Sequence, residues 1–379
     1  MDPLLRYCQS RRDAQIELIR RLVEIESPSD DKAAVDRMSE FLADRLAPVA
    51  AIRVHRRRDG GNHLRVEFRL PGNKKSGQVL VLGHVDTVWP VGTLARMPFR
   101  AAEGRLWGPG VFDMKTGIAI AVFAAAALRE LDRPLARKLV LQLNADEEVG
   151  SESSRAITEA EARKSAAVLV LEPSVGLDGK VKTARKGVGD YMVRVKGRAA
   201  HAGLDFEAGA SATLELARQL LKIAAFTDLE RGITVNPGVI GGGTRTNVVA
   251  EEAWAKIDLR VWRLADARRI GKKFRALRPV DRRTSFTIEG GLNRPPLERS
   301  PDVVRLYRRA QRIAAEMGVE LGEAQVGGGS DGNFTAALGV PTLDGLGAVG
   351  EGAHAANESV LISRLADRTA LVARLIESL

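Results

Sequence analysis

The chain of 379 residues contains five histidines, and three of them, His84, His201 and His354, stand among small or acidic neighbours in stretches that read as loops. The run Val79-Leu-Val-Leu-Gly-His84-Val-Asp86-Thr87 is an apolar strand that ends in His-x-Asp. Functional groups in an α/β sheet gather beyond the carboxyl ends of the strands. An imidazole there can bind a metal while the carboxylate two residues on fixes its other ring nitrogen. Taken alone, the same residues also describe a surface histidine beside a turn aspartate. Further on, glycines bracket Asp113 in Gly110-Val-Phe-Asp113-Met-Lys-Thr-Gly117, just before an Ala-rich stretch. Alone, that aspartate reads as a helix cap. Asp146, Glu147 and Glu148 follow another strand directly, and three such acids crowd one another unless a cation neutralises them. One of the two adjacent glutamates can bind metal while the other stays free as a base. Glu172 ends a third apolar strand at Glu172-Pro173, and His354 lies in Gly352-Ala-His354-Ala-Ala-Asn357-Glu358.

Two histidines and three carboxylates form a mixed nitrogen and oxygen ligand set suited to zinc and tolerant of cobalt or manganese. Five ligands exceed the three protein ligands usual for a single catalytic zinc. They suit two metals that share a bridging carboxylate, about 3.5–4 Å apart.

The elements that must hold these groups follow from periodicity. Ile16, Ile19 and Val23 recur at helical spacing, and Pro28 ends that helix. Asp30 or Asp31 caps a second helix, with Val35, Met38, Leu42 and Leu46 on its buried stripe. Residues 63–70 alternate, whereas residues 78–82 and 166–171 are almost continuously apolar, as in strands covered on both faces. Helices over 115–131 and 152–163 and a strand over 138–143 interleave with them. This pattern predicts an α/β layer with a mostly parallel central sheet flanked by helices. After about residue 184 the pattern changes. Residues 191–196 and 253–261 alternate, and helices over 211–223 and 265–276 lie between strands. That order reads as β-α-β-β-α-β, an inserted two-layer, ferredoxin-like α+β domain over residues 185–295. Residues 1–184 and 296–379 form the remaining, discontinuous domain, with a Gly-rich loop at 327–332.

Hydrophobic residues are 45% and charged residues 28% of the chain, which excludes a disordered or fibrous protein. The net charge of +10 raises a nucleic-acid-binding alternative. Its densest cluster, Arg53 with Arg56, Arg57 and Arg58, is short and lacks interleaved aromatics, so no nucleic-acid partner is expected. Cys8 is the single cysteine, which fits a reducing compartment. The first residues carry acids and arginines throughout and do not read as a secretory signal. The longest apolar run, 117–128, is shorter than the about 20 residues that cross a bilayer. A cytoplasmic protein with no membrane partner is expected.

In order along the chain stand GHVDTV, GVFDMKTG, ADEEVGS, VLEPS, GRAAHAG, GGTRTNVVAEEAWAKIDLR, GGGSDGNF and GAHAANE, from about residue 84 to 358. These motifs resemble the two-zinc peptidase family of the bacterial folate-cleaving glutamate carboxypeptidase, aminoacylase and succinyl-diaminopimelate desuccinylase, above all its glutamate carboxypeptidase-like members. The resemblance implies that His84 and Glu172 bind one zinc, that Glu148 and His354 bind the other, and that Asp113 bridges both. A cis peptide bond commonly follows that aspartate in the family. Asp86 would orient His84. Glu147 would be the general base that takes a proton from the water between the metals and delivers it to the leaving amine. His201 would reach the partner subunit's active site in a homodimer and stabilise the oxyanion. Asn247 and Arg260 match substrate-contacting positions, Arg260 as a bidentate grip on a carboxylate or else as part of a solvated strand face. Gly328, Gly329 and Ser330 would approach the substrate backbone. The implied activity is hydrolysis of an amide next to a free C-terminal carboxylate, releasing an amino acid such as glutamate. The alternative is deacylation of an N-acyl amino acid.

Overall fold

The computed structural model describes residues 2–72 and 75–379. The chain divides into two compact units, one of Met1–Thr183, Arg299–Gln325 and Ser330–Leu379, the other of Ala184–Glu298 and Val326–Gly329.

The first unit is built on a six-stranded sheet in the order Ala50–His55, His63–Phe68, Lys138–Asn144, Gln78–His84, Ser165–Val170 and Thr342–Leu343. The last four strands run parallel to one another, and the first two add antiparallel pairings at one edge. All seven residues of Gln78–His84 are buried, as expected of a parallel strand covered on both faces. The helix Thr116–Glu130 packs among the core helices, and its alanines allow close approach. The segment Val111–Glu130 is long and apolar enough to cross a membrane, yet 89% of its most apolar window is buried inside the unit. Asp2 caps the helix Pro3–Ser10, Asp31 caps Lys32–Leu46 and Ser300 caps Pro301–Glu316, each side chain accepting from backbone N–H groups. The helix expected around Ile16, Ile19 and Val23 is Arg12–Glu24, and a separate helix, Pro3–Ser10, precedes it.

Register places the chemistry. His84 lies opposite Asn144, and Leu82 lies opposite Val170. Continuing the second pairing brings Glu172 level with His84. Asn144 is followed at once by the acidic turn. Three segments therefore leave the same sheet edge carrying His84, Glu148 and Glu172. Asp113 is added by the irregular segment Val111–Lys115, whose Asp113–Met114 peptide bond is cis. It does not cap the helix that follows, since Lys115 stands at that position without a side-chain cap.

The second unit is a four-stranded antiparallel sheet in the order Thr234–Gly242, Glu252–Val261, Gly187–Lys196, Ser285–Arg294. Its helices are Ala212–Ala224 and Leu264–Ala276. In Glu252–Val261, Ala253, Ala255, Ile257, Leu259 and Val261 are buried and the residues between them are not. That alternation leaves one face for the helices and one for solvent. Tyr191 stacks on Phe274 at 3.9 Å in its core.

Candidate metal centre

Two groups of ligand-type side chains converge in the first unit, His84 with Asp113 and Glu172, and Asp113 with Glu148 and His354. Asp113 belongs to both. Its Oδ1 lies 3.2 Å from His84 Nε2, and its Oδ2 lies 3.6 Å from His354 Nε2. His84 Nε2 is also 3.5 Å from Glu172 Oε1, and His354 Nε2 is 3.2 Å from Glu148 Oε1. One carboxylate thus presents an oxygen to each imidazole, the arrangement that a bridging ligand requires. The His84 ring is 2% exposed and the His354 ring 49%, so the second group is the more open.

The electrostatics of the site match a place for cations. Burial opposes a charge on His84, but hydrogen bonds to Asp113, Asp86 and Glu172 outweigh it and hold its pKa well above the ordinary imidazole value. The hydrogen bond to Glu148, against some desolvation, raises His354 to about 9. Burial pushes the Glu148 carboxyl up. Clustered carboxylates thus draw protons onto the imidazoles, positive charge that a divalent ion would supply instead. The donor set, imidazole nitrogens and carboxylate oxygens around a shared aspartate, fits a pair of zinc, cobalt or manganese ions.

The ring of His84 is fixed at Nδ1, which donates to the Asp86 backbone carbonyl at 2.9 Å, with the Asp86 carboxylate farther off at 3.5 Å. Nε2 is then the nitrogen that faces Asp113 and Glu172, the one at which a metal would take the place of the proton. The buried Asp86 carboxylate accepts from Ser29 Oγ at 2.6 Å and from the backbone N–H groups of Glu147 and Glu148 at 3.2 and 3.1 Å. Its geometry orients the acidic turn as much as the imidazole. Glu148 enters a metal group and Glu147 enters neither. Asp146 is structural, since its Oδ2 accepts from Ser153 N, Ser153 Oγ and Ser154 N at 2.8, 2.7 and 3.2 Å.

The other expected site residues are distributed between the two units. His201, Asn247, Arg260, Gly328 and Gly329 belong to the second unit, and Ser330 belongs to the first. His201 is exposed, and its Nδ1 accepts from the N–H groups of Gly203 and Leu204 at 3.1 and 3.2 Å, which leaves the proton on Nε2. Asn247 is exposed, and its carbonyl accepts from Ala202 N–H. Arg260 Nε lies 3.0 Å from both carboxylate oxygens of Asp258. The carbonyls of Gly328 and Gly329 accept from Arg185 Nη1 at 3.2 and 3.0 Å. Ser330 is fully buried, and its hydroxyl donates to Asp344 at 2.6 Å.

Several groups that support the site escaped the sequence reading. Asp331 accepts from Asn144 Nδ2 at 2.6 Å and from the Ser151 hydroxyl, one partner on each side of the acidic turn. Gly347 N–H donates to the Glu172 carbonyl at 3.0 Å. Glu358 is buried beneath the Asp113 segment. Asp331 and Glu358 stand inside recognisable motifs, but a carboxylate in a loop has no periodicity that would announce its partners.

Three similarities agree with this geometry. The chain is 28% identical to Carboxypeptidase G2 of Pseudomonas sp. (strain RS-16) over 99% of its own length and 92% of that protein. Its fold is similar to aminopeptidase PepT of Bacillus cereus, with a TM-score of 0.77 at 21% identity, covering 97% of this chain and 98% of that one. It is also similar to the YXEP protein of Bacillus subtilis, a dinuclear metal binding peptidase, with a TM-score of 0.70 at 13% identity over 98% of both chains. Residues 80–378 match the model of peptidase family M20/M25/M40, and the chain belongs to that family of metal-dependent peptidases.

Proposed function

We propose that this carboxypeptidase-like member of the family holds two zinc ions and hydrolyses an amide next to a free C-terminal carboxylate, releasing an amino acid such as glutamate. The observation that carries the reading is Asp113, whose two oxygens face two different imidazoles. Full-length similarity to Carboxypeptidase G2 supports the carboxypeptidase side over simple N-acyl amino acids, the second reading.

His84, Asp113 and Glu172 would hold one ion, and Asp113, Glu148 and His354 the other. Bound there, divalent ions supply Lewis-acid polarisation of the scissile carbonyl and acidify the attacking water. The protein's own groups do the rest. Glu147, beside Glu148 but in neither metal group, takes a proton from the attacking water as the new C–O bond forms. It passes that proton to the amide nitrogen as the C–N bond breaks, so the products are a carboxylic acid and an amine. Asp86 holds the backbone of both glutamates while this happens. His201, protonated at Nε2, has the donor needed for a developing oxyanion, and we assign it that role in the partner's site of a homodimer. Arg260, Asn247 and the carbonyl-lined loop at Gly328 and Gly329 would contact substrate. An incoming carboxylate at Arg260 would compete with Asp258. The single cysteine, Cys8, is free and buried, in keeping with a cytoplasmic location.

Glu147→Gln separates the base from the ligands. Turnover of an N-aminoacyl glutamate should fall by about 10²–10⁴-fold while the protein still binds two zinc ions. Undiminished turnover in this variant would remove Glu147 from the mechanism. Light scattering that shows an active monomer would remove His201 from its role in trans.

A further inference from the structure

Glu358 is 1% exposed, and its carboxylate is ringed by four donors. Oε1 accepts from the backbone N–H groups of Phe112 and Asp113 at 2.9 and 3.0 Å. Oε2 accepts from Gly110 N–H at 2.9 Å and from Trp89 Nε1 at 2.8 Å. Two of these donors, Phe112 and Asp113, belong to the short irregular segment Val111–Lys115, and Gly110 immediately precedes it. That segment has non-helical angles at Asp113 and Met114, so no regular α-helical ladder runs through it. The fourth donor comes from the stretch just after His84 and Asp86.

Glu358 also closes the turn that carries His354. Its own N–H donates to the Ala355 carbonyl at 3.0 Å, and Ala355 N–H donates to Gly352 at 2.9 Å. His354 sits between them at φ 61°, a backbone state that a histidine rarely adopts without a surround that enforces it. The side chain of Glu358 therefore grips the Asp113 segment while its backbone shapes the His354 turn.

A buried carboxylate is retained only where its charge is compensated. Here four N–H groups offset part of the burial that pushes the Glu358 carboxyl up. A cap or a salt bridge would need fewer partners. This side chain instead accepts from three backbone N–H groups in or next to the segment of one candidate ligand, and it belongs to the turn of another.

We propose that Glu358 is a positioning residue for the metal pair: its carboxylate pins Asp113 against the His354 turn and so sets the geometry of the more open group, Asp113, Glu148 and His354. The inference rests on the di-metal reading above. The other group shares Asp113 but depends less on Glu358, because its remaining ligands are held elsewhere, His84 by Asp86 and Glu172 by Gly347, whereas His354 stands on the turn that Glu358 closes.

Glu358→Gln tests this with little change in shape. The amide oxygen can still accept from Phe112 and Asp113, but the new NH2 faces Gly110 N–H and Trp89 Nε1, donor against donor. Zinc titration of the metal-free full-length protein by calorimetry should resolve two sites in the unaltered chain. In the variant one site should stay within about threefold, and the other should weaken about 10–100-fold, the range for partners that orient a metal ligand. The visible spectrum of the cobalt-loaded protein should change for the weakened site alone, a readout that a general loss of packing would not produce. Two sites within threefold of the unaltered protein, in a folded variant, would overturn the proposal. So would equal weakening of both. If Glu358→Gln does not fold, Trp89→Phe removes one of the four donors and should weaken one zinc about 3–10-fold; unchanged binding there would also overturn it. Failure of the unaltered protein to bind two ions would instead overturn the di-metal reading, which keeps the two failures distinguishable.

Discussion

Gly347→Ala should detach Glu172 from the metal group proposed above by sterics alone. A methyl group at Gly347 would stand 2.0 Å from the Leu171 carbonyl oxygen and 2.8 Å from that of Glu172. Ordinary contact begins at 3.4 Å, so about 1.4 Å must be found by moving backbone against backbone. No flexible side chain is available to yield. The nearer carbonyl belongs to the residue before the metal ligand, and Gly347 N–H is the donor that holds Glu172 in place. Overpacking of this kind costs about 1–3 kcal/mol, and the hydrogen bond that must stretch contributes about 1 kcal/mol more. The metal is more sensitive than the fold. A ligand set tolerates about 0.2 Å of displacement, and a shift several times larger at Glu172 should weaken the zinc held with His84 by at least about 100-fold, or about 2.7 kcal/mol. Urea denaturation of the metal-free protein measures the first quantity and zinc calorimetry the second. Gly339→Ala is the control. It has φ 78° but nothing within 4 Å of the added carbon, so it should lose about 1 kcal/mol of stability and no zinc affinity. A Gly347→Ala protein with zinc affinity within threefold of the unaltered chain would refute the claim that this close approach positions Glu172.

Two further outcomes follow from buried charge in the first unit. Arg368, 1% exposed, donates to the carbonyls of Gly347 and Gly179 at 2.9 Å each and to that of Gly345. Arg368→Met would orphan all three and should lower stability in urea by about 3–5 kcal/mol; a loss below about 1 kcal/mol would mean that water or rearrangement replaces the guanidinium. Glu161 is the acid-sensitive group. Burial raises its pKa, but Lys164 at 2.7 Å, Gln78 at 3.0 Å and Arg65 at 3.1 Å outweigh it and hold the carboxyl at about 2. A carboxyl depressed in the folded state adds stability above its unfolded value near 4.5 and loses it as pH falls toward 2. After solvent screening this amounts to about 1–2 kcal/mol. Between those pH values the metal-free protein should lose that much more stability than Glu161→Gln, and parallel curves for the two would refute the assignment.

Three of the five candidate ligands were legible in the sequence because they interrupt a pattern, whereas Asp113 and His354 interrupt none and stand out only through the motifs around them. His84 and Glu172 end continuous apolar runs, and the acidic turn begins where another run stops. A strand buried on both faces cannot carry such a group except at its end, so pattern and position coincide. The same logic located the second unit, where continuous runs give way to the alternation of Glu252–Val261. The strand Ala50–His55 was missed because it lies at the sheet edge, with only Ala50 fully buried and therefore little period to read. The three-residue strands Arg100–Ala102, Arg105–Trp107 and Ser359–Leu361 are too short to show any period. Least legible were the groups that hold the ligands. The sequence marks Asp86 as a partner of the His84 ring, and its carboxylate lies 3.5 Å from Nδ1, but its backbone carbonyl is nearer at 2.9 Å and the carboxylate also organises Glu147 and Glu148. Glu358 and Arg368 act on backbone N–H and C=O groups far away in sequence, and every residue type except proline offers both. A side chain that recognises another side chain restricts two positions and leaves a pattern. One that recognises backbone restricts only itself, so its role becomes visible only when the chain has folded around it.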